Sequence, residues 1–479
     1  FVLSQGSNYS TYSAFVNDRW TLTDKWTFNL GVRWDKNDAV GGDGHTQIAD
    51  DAAFSPRLAL HYDTFANGRL VFNASYGTYV GRLAEGAIND ADPAGRSASL
   101  QWDYRGPSIN NDVNVPTGQL IPTDRAIQMV MDWFFANGGT NRRPFRTTPS
   151  VPGVETILDL DGLPAPMVKE YTVGVGSVIG TRGFVRADVI RRNWDNFYTS
   201  YRNQTTGKVS DQFGTQYDLS ILRADNEVYD REYTAVQTQA NYRPFKPLQL
   251  GLTYTWSRLV GNVTGEDSGS GPLVGVAGEY PEYRGADWNY PMGYLSGDQR
   301  HRAKFWASYD IPTRVGNFNV TALQNFDSGT ATSVDGSIDP RPFVTGTNYL
   351  TPPASISYFF GGRGTLKTDN VTRTDLALNY SVKLARGFTL FVEPEVINLF
   401  NEDAVTSFDE EVLTNIDCPG GTAAQAPGCP TGGLAAFNPF TTQPVEGTNF
   451  LRGQNFGKPD SEGDFQQPRT FRVSVGLRF

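Results

Sequence analysis

Residues 25–36 read KWTFNLGVRWDK. Trp26, Phe28, Leu30, Val32 and Trp34 are apolar, and the residues between them, Thr27, Asn29, Gly31, Arg33 and Asp35, are small or polar. A period of two marks a β-strand with one apolar and one wet face, because successive side chains point to opposite sides of the pleat. The alternation returns in Leu70, Phe72, Ala74, Tyr76, in Leu248, Leu250, Leu252, Tyr254, Trp256, and at the end of the chain in Phe471, Val473, Val475, Leu477, Phe479. Applied throughout, it predicts 13 strands, at 9–22, 25–36, 54–63, 69–81, 169–180, 183–199, 227–242, 247–260, 300–311, 317–327, 372–384, 387–399 and 468–479. Many run longer than the ~5–6 residues usual in soluble sheets and approach the ~9–11 of a tilted membrane strand with its ends.

The connections alternate in length. Short ones fall at Thr23-Asp24, 64–68, 181–182, 243–246, 312–316 and 385–386, and long ones at 37–53, 82–168, 200–226, 261–299, 328–371 and 400–467. Short turns on one side and long loops on the other describe an all-β transmembrane antiparallel barrel of the bacterial outer membrane, with turns periplasmic and loops extracellular. A soluble β-sandwich has no reason to alternate so strictly. Trp26 and Trp34 stand ~20 Å apart along a tilted strand, close to the ~25 Å apolar band between aromatic girdles. Composition agrees: 50 Gly, 13% aromatic residues and a mean hydropathy of −0.40, with no apolar run of ~18 residues to form a membrane helix. A net charge of −10 excludes a nucleic-acid binder that relies on a broad basic surface. The opening FVLSQGSNYS has neither the basic nor the apolar region of a signal peptide.

Parity adds an expectation. With short turns periplasmic, the first and the thirteenth strand both descend, so an antiparallel barrel closes only through an odd number of further strands. An open edge in lipid leaves backbone groups unpaired at several kcal/mol each. The chain is therefore expected to be the C-terminal piece of a larger barrel.

DRWTLTDKWTFNLGVRWD (18–35), FSPRLALHYD (54–63), GRLVFNASYGTYVG (68–81), GDQRHRAKFWASYDIP (297–312), TRTDLALNYSVKL (372–384), FVEPEVINLFNEDAV (391–405) and QQPRTFRVSVGLRF (466–479) follow one another in order from end to end. In them the chain resembles the C-terminal barrel portion of TonB-dependent outer-membrane receptors, most closely the Oar-like group. The resemblance implies a barrel of 22 strands, of which thirteen present leave an odd nine. It also implies an N-terminal plug and a Ton box coupled to the inner-membrane energy system, and neither has a counterpart in this sequence. Energy-coupled uptake of a ligand is thus what the resemblance implies. So are its partners: the TonB energy-coupling system (through the plug), the barrel-assembly machinery, outer-membrane lipids and an unidentified extracellular ligand. The terminal FRVSVGLRF looks like the barrel-assembly signal, with Phe471 and Phe479 as its aromatic positions; an apolar edge strand can be captured by β-augmentation.

No catalytic motif is present. His45, His61 and His301 lie far apart, no H-E-x-x-H or G-x-S-x-G occurs, and Gly207-Lys208 and Gly457-Lys458 lack the rest of a phosphate loop. An enzyme, a resident cofactor and a metal site are therefore not expected. Residues 123–139, TDRAIQMVMDWFFANGG, read as a helix capped by Thr123 or Asp124, with Ile127, Val130, Met131 and Phe134 on one face and Gly138 as its stop. It reads first as a packed extracellular helix, and second as a lid touching ligand through Trp133 and Phe135. Cys418 and Cys429 enclose ten residues in an extracellular loop and are expected as a disulfide rather than a metal pair. Residues 37–53 hold four acidic and no basic side chains, and 400–467 hold ten acidic against Arg452 and Lys458. A solvated surface accounts for these better than a calcium site does, since no spacing matches a closed loop. Asn29, Arg33, Asp35, Asn73, Arg186, Asp188, Thr253 and Asn379 are expected to face the lumen. Two other functions stay open: a passive porin-like channel, and a surface adhesion or export component using the long aromatic loops.

Overall fold

The computed structural model describes residues 8–81, 100–110, 115–142, 154, 156–159, 162–211, 214–263, 279–345, 348–350, 352–353, 355–384, 387–420 and 426–478. Thirteen strands pair in chain order into one antiparallel sheet. They are β1 (Asn8–Thr21), β2 (Trp26–Val40), β3 (Gln47–Asp63), β4 (Leu70–Val80), β5 (Met167–Ile179), β6 (Gly183–Asp195), β7 (Arg231–Phe245), β8 (Leu248–Gly261), β9 (His301–Thr313), β10 (Gly316–Asp327), β11 (Val371–Lys383), β12 (Thr389–Ile397) and β13 (Thr470–Arg478). Their number and order are those the alternation predicts. A short strand, Gly293–Tyr294, adds to β8 beside β9.

Register carries the apolar face across the whole sheet. Directly paired residues share a face, so Leu30 of β2 stands beside Leu58 of β3, and Tyr76 of β4 beside Tyr171 of β5. Val173, Val189, Val236 and Trp256 form one continuous row over β5 to β8. The last strands continue it with Val396 beside Phe471 and Val392 beside Val475. Several of these side chains are open to the surroundings: Val173 is 63%, Val189 51% and Phe471 71% exposed. At ~25 cal/mol per Å² a face this large cannot be left in water, and lipid is the solvent it fits. Trp20, Phe28, Trp26 and Tyr62 cluster at the short-turn end, with the rings of Trp26 and Tyr62 4.4 Å apart. Asp18 is an exception on edge strand β1, where it sits on the apolar face directly opposite Leu30.

Pro394 interrupts the ladder of β11 and β12. Pairing stops at Ala377 with Glu395 and resumes at Tyr380 with Val392, because a proline nitrogen has no hydrogen to donate.

Most of the buried core lies among the long connections and the strand ends they cover. Short two- and three-stranded sheets form there, including Ser220–Ala224 between Thr156–Leu158 and Tyr198–Tyr201, and Asp335–Ile338 with Ile356–Phe359. Tyr280, Trp288, Ile338, Tyr358, Phe437 and Phe440 make the largest cluster, which joins three of those connections. One expectation is corrected here. The stretch 37–53 is mostly strand, because the β2–β3 hairpin continues to Val40 and Gln47 and leaves only a short tip. Above the membrane one face of this hairpin meets water and the other meets loop, so its pattern loses the apolar alternation. Ala39, Ile48 and Ala49 pack under Tyr198 and Leu222, while Asn37 accepts hydrogen bonds from Tyr9 and Thr11, each at 3.0 Å. β6 likewise ends at Asp195, where Asn196 takes a left-handed φ of 65° before the chain enters the loop sheet.

Candidate functional site

The second face of the sheet is polar, and every residue expected to face the lumen lies on it. Asn29, Arg33 and Asp35 alternate on β2, Asn73 is on β4, Arg186 and Asp188 on β6, Thr253 on β8 and Asn379 on β11. Asp35 accepts from Arg33 Nε at 2.9 Å and from Ser13 at 2.6 Å. Asp188 accepts from Arg186 at 2.7 Å and, across two strands, from Asn73 at 3.0 Å. The intervening residue is Gly174, whose missing side chain makes that reach possible: a Cβ there would stand 2.0 Å from Asp188 Oδ1. Asn379 donates to Glu393 at 3.0 Å, and Arg472 donates to Glu395 at 2.8 Å. Asn29 borders a concavity of about 370 Å³ shared with Asn17, Arg57, Ser75 and Tyr79, and Thr253 stands in a row between Gln239 and Lys304. Exposed pairs of this kind contribute ~0–1 kcal/mol each, so this face is a wettable lining more than a source of stability.

Above the sheet, carboxylates lock the loops together, and nothing in the sequence announced them. Asp218 and Glu279 have side chains with 0% exposure. Asp218 pairs with Lys208 at 2.6 Å and accepts from the backbone of Leu350 at 2.9 Å. Glu279 pairs with Arg202 at 3.2 Å through Oε1, and its Oε2 has no partner among the described residues. Glu282 accepts from the Gln204 backbone and from the Tyr349 hydroxyl, both at 2.8 Å. Burial pushes the Glu279 carboxyl up to about 7, against the opposing pull of Arg202. Arg202 and Glu279 are 77 residues apart, which is why a reading of local pattern passes over them.

The helix is α1, Thr123–Ala136, and it starts from Pro122 rather than from a Thr123 or Asp124 cap. Proline's fixed φ, here −57°, sets the first turn without a side-chain hydrogen bond. Trp133 packs edge-on to Tyr104 at 4.9 Å with the Arg142 guanidinium 4.5 Å over its ring, so it serves the helix's own packing. Phe135 is 65% exposed. Cys418 and Cys429 are joined as a disulfide with Cα atoms 5.4 Å apart, Cys418 being buried against Leu413 and Leu434. Phe471 is on β13, and Phe479 lies outside the described residues.

The acidic side chains of 37–53 are taken up within the hairpin tip and by neighbouring chain. Asp43 accepts from the backbones of His45 and Thr46, each at 2.9 Å, and from the Thr46 hydroxyl, which together hold its carboxyl down at about 2. Asp51 accepts from Ala165 at 2.9 Å, and Asp50 pairs with Lys36. Among the described residues no group of three His, Cys, Asp or Glu side chains is placed to hold a metal ion.

A continuous apolar face one side, a hydrogen-bonded polar face on the other and a dome of packed loops at one end define an outer-membrane β-barrel wall. The chain belongs to the outer membrane beta barrel domain family, whose model matches residues 36–415, and it is a protein of the bacterial outer membrane. Among relatives it is similar to the TonB-dependent transporter Oar of Myxococcus xanthus, at 23% identity over 98% of this chain and 43% of that protein. The chain thus spans less than half the length of the relative it matches. Solved structures that resemble it include the ferric enterobactin receptor PfeA of Pseudomonas aeruginosa, at 12% identity over 98% of this chain and 45% of that one, with a TM-score of 0.49. The outer membrane transporter YddB of Escherichia coli is another, at 12% identity over 83% and 42%, with a TM-score of 0.48.

Proposed function

We propose that this chain is the C-terminal part of the barrel of a TonB-dependent transporter, and that it forms the wall of an energy-coupled uptake path for a ligand bound at the cell surface. The observation that supports this most is its likeness to Oar along 98% of its own length and only 43% of the relative's. Sheet geometry points the same way. β1 and β13 run in the same direction at the two edges of a thirteen-strand antiparallel sheet, so an odd number of further strands would join them into a closed barrel. The polar face would then line the lumen, where Arg33, Asp35, Arg186 and Asp188 would hydrogen-bond a plug, and the loop dome would receive the ligand. β13, with its apolar alternation, would be the strand presented to the assembly machinery.

The test is the intact mass and N-terminal sequence of the protein extracted from native outer membranes, together with capture by a purified TonB periplasmic domain. A mass well above 52.7 kDa, with capture that a synthetic Ton-box peptide competes away, is the expected result. A mass near 52.7 kDa, or a larger protein that TonB does not capture, would overturn energised uptake.

A further inference from the structure

The apolar face gives way to charge at its loop-side border, and in one sector that charge is basic and gathered round aromatic rings. On β8 the outward series Leu250, Leu252, Tyr254, Trp256 is followed by Arg258. Arg258 is in register with Thr234 and, one strand further, Arg191, a single step beyond the row of Val189, Val236 and Trp256. The ring of Tyr294, which pairs with Val260 at the top of β8, has three cations about it: Arg300 at 5.0 Å, Arg258 at 5.9 Å and Lys367 at 6.0 Å. Arg300 also lies 5.8 Å from the ring of Trp256 and is neutralised by the buried Asp298 at 3.3 Å. Arg258 and Lys367 are exposed, and neither has an ion pair among the described residues. Asp230 and Glu232 share a cavity of about 260 Å³ with Arg258 and Met292, but Glu232 is taken by Arg191.

We propose that this patch is a docking site for the phosphorylated headgroup of an outer-leaflet lipid, with Arg258 and Lys367 contacting phosphate and Trp256 and Met292 meeting its acyl region. Three observations carry the assignment. The patch is continuous with the lipid-facing apolar band, so a headgroup whose chains lie along that band arrives at this height. Two unpaired cations complement an anion. Aromatic rings hold their stems in place and offer the amphipathic edge that interfaces favour. Lys36 and Lys169, which continue the apolar faces of β2 and β5 at the same border, are taken by Asp50 and Asp195. The inference rests on the outer-membrane family alone and stands whether or not the protein transports.

The experiment uses the full-length protein, stripped of lipid in detergent, and native mass spectrometry with bis-phosphorylated lipid A as the probe. The double variant Arg258→Gln/Lys367→Gln should retain it about thirtyfold less, at ~1 kcal/mol for each cation near an anionic lipid surface. Dephosphorylated lipid A should show a comparable loss on the unaltered protein, and Lys36→Gln, on a distant strand, should change nothing. Heat-modifiable gel mobility checks that each variant is folded, and Lys367→Gln alone, at an exposed position, should still weaken retention. Equal retention by the folded double variant, or equal retention without the phosphates, would overturn the proposal. So would an equal loss with Lys36→Gln, which would mark general surface charge, or displacement of the lipid by inorganic phosphate, which would mark a site for a free anion.

Discussion

Replacing Leu252 with arginine should destabilise the barrel by ~2–4 kcal/mol, the cost of that charge near the middle of a bilayer. Leu252 stands four residues from Trp256 on one side and four from Leu248 on the other, ~10 Å from each border at the usual rise and tilt, too far for full escape to either interface. Its neighbours in register are Ala240 and Phe305, neither of which can pair with a guanidinium. Leu30 is the instructive contrast. It is equally central on β2, between Trp26 and Trp34, but Asp18 is directly opposite it on the same face. Leu30→Arg should therefore cost about 1 kcal/mol less than Leu252→Arg, and Asp18→Asn should remove that relief. The assay is denaturant unfolding of the full-length protein in phosphatidylcholine vesicles, followed by tryptophan fluorescence and heat-modifiable mobility. An unchanged unfolding free energy for Leu252→Arg would refute the facing assigned to β8. A cost at position 30 indifferent to Asp18 would refute the register of β1 on β2.

Glu279, raised in the folded dome, favours packing below the ordinary carboxylate range, and that contribution is lost as pH rises from about 4.5 through about 7. The shift corresponds to roughly 3 kcal/mol, so loop proteolysis should accelerate across that window, and Glu279→Gln should abolish the dependence. Arg202→Met should make cleavage at pH 8 faster still, by stranding a buried charge, with little effect at pH 4; the same rate at both would contradict the pairing. Reducing Cys418–Cys429 should cost the loop up to ~3 kcal/mol, and maleimide should label both cysteines only after reduction. Gly174→Ala should displace Asp188 from Asn73 at a cost of about 1 kcal/mol, read as a lower unfolding midpoint, with Asn73→Ala giving no further loss.

The sheet was legible because membrane and water impose opposite demands on alternate residues, and the stretch from Leu248 to Trp256 records that conflict at every position. The same reasoning explains where legibility ended. Beyond the membrane border, Asp38, Asp50 and Asp51 no longer alternate with apolar residues, and a hairpin arm read as a loop. The carboxylate network failed to announce itself for a different reason. Asp218, Glu279 and Glu282 acquire their role only when three connections fold on one another, and a local pattern holds no trace of Arg202 meeting Glu279. Trp133 stood out as an aromatic residue at a helix edge, but Tyr104 and Arg142, its partners, precede and follow the helix and share no period with it. Residues whose environment is set by solvent were readable, and those whose environment is set by distant chain were not.

The central claim is that one face of this sheet meets lipid and the other does not. Spin labels placed singly at positions 27 to 34 of the full-length protein in outer-membrane lipid test it most directly, and Cys418 and Cys429, being bonded to each other, do not compete for the label. Accessibility to oxygen should alternate with a period of two, high at 28, 30 and 32 and low at 29, 31 and 33. A polar nickel reagent should show the reverse preference. Flat accessibility along the strand, or oxygen favouring the odd positions, would contradict the account.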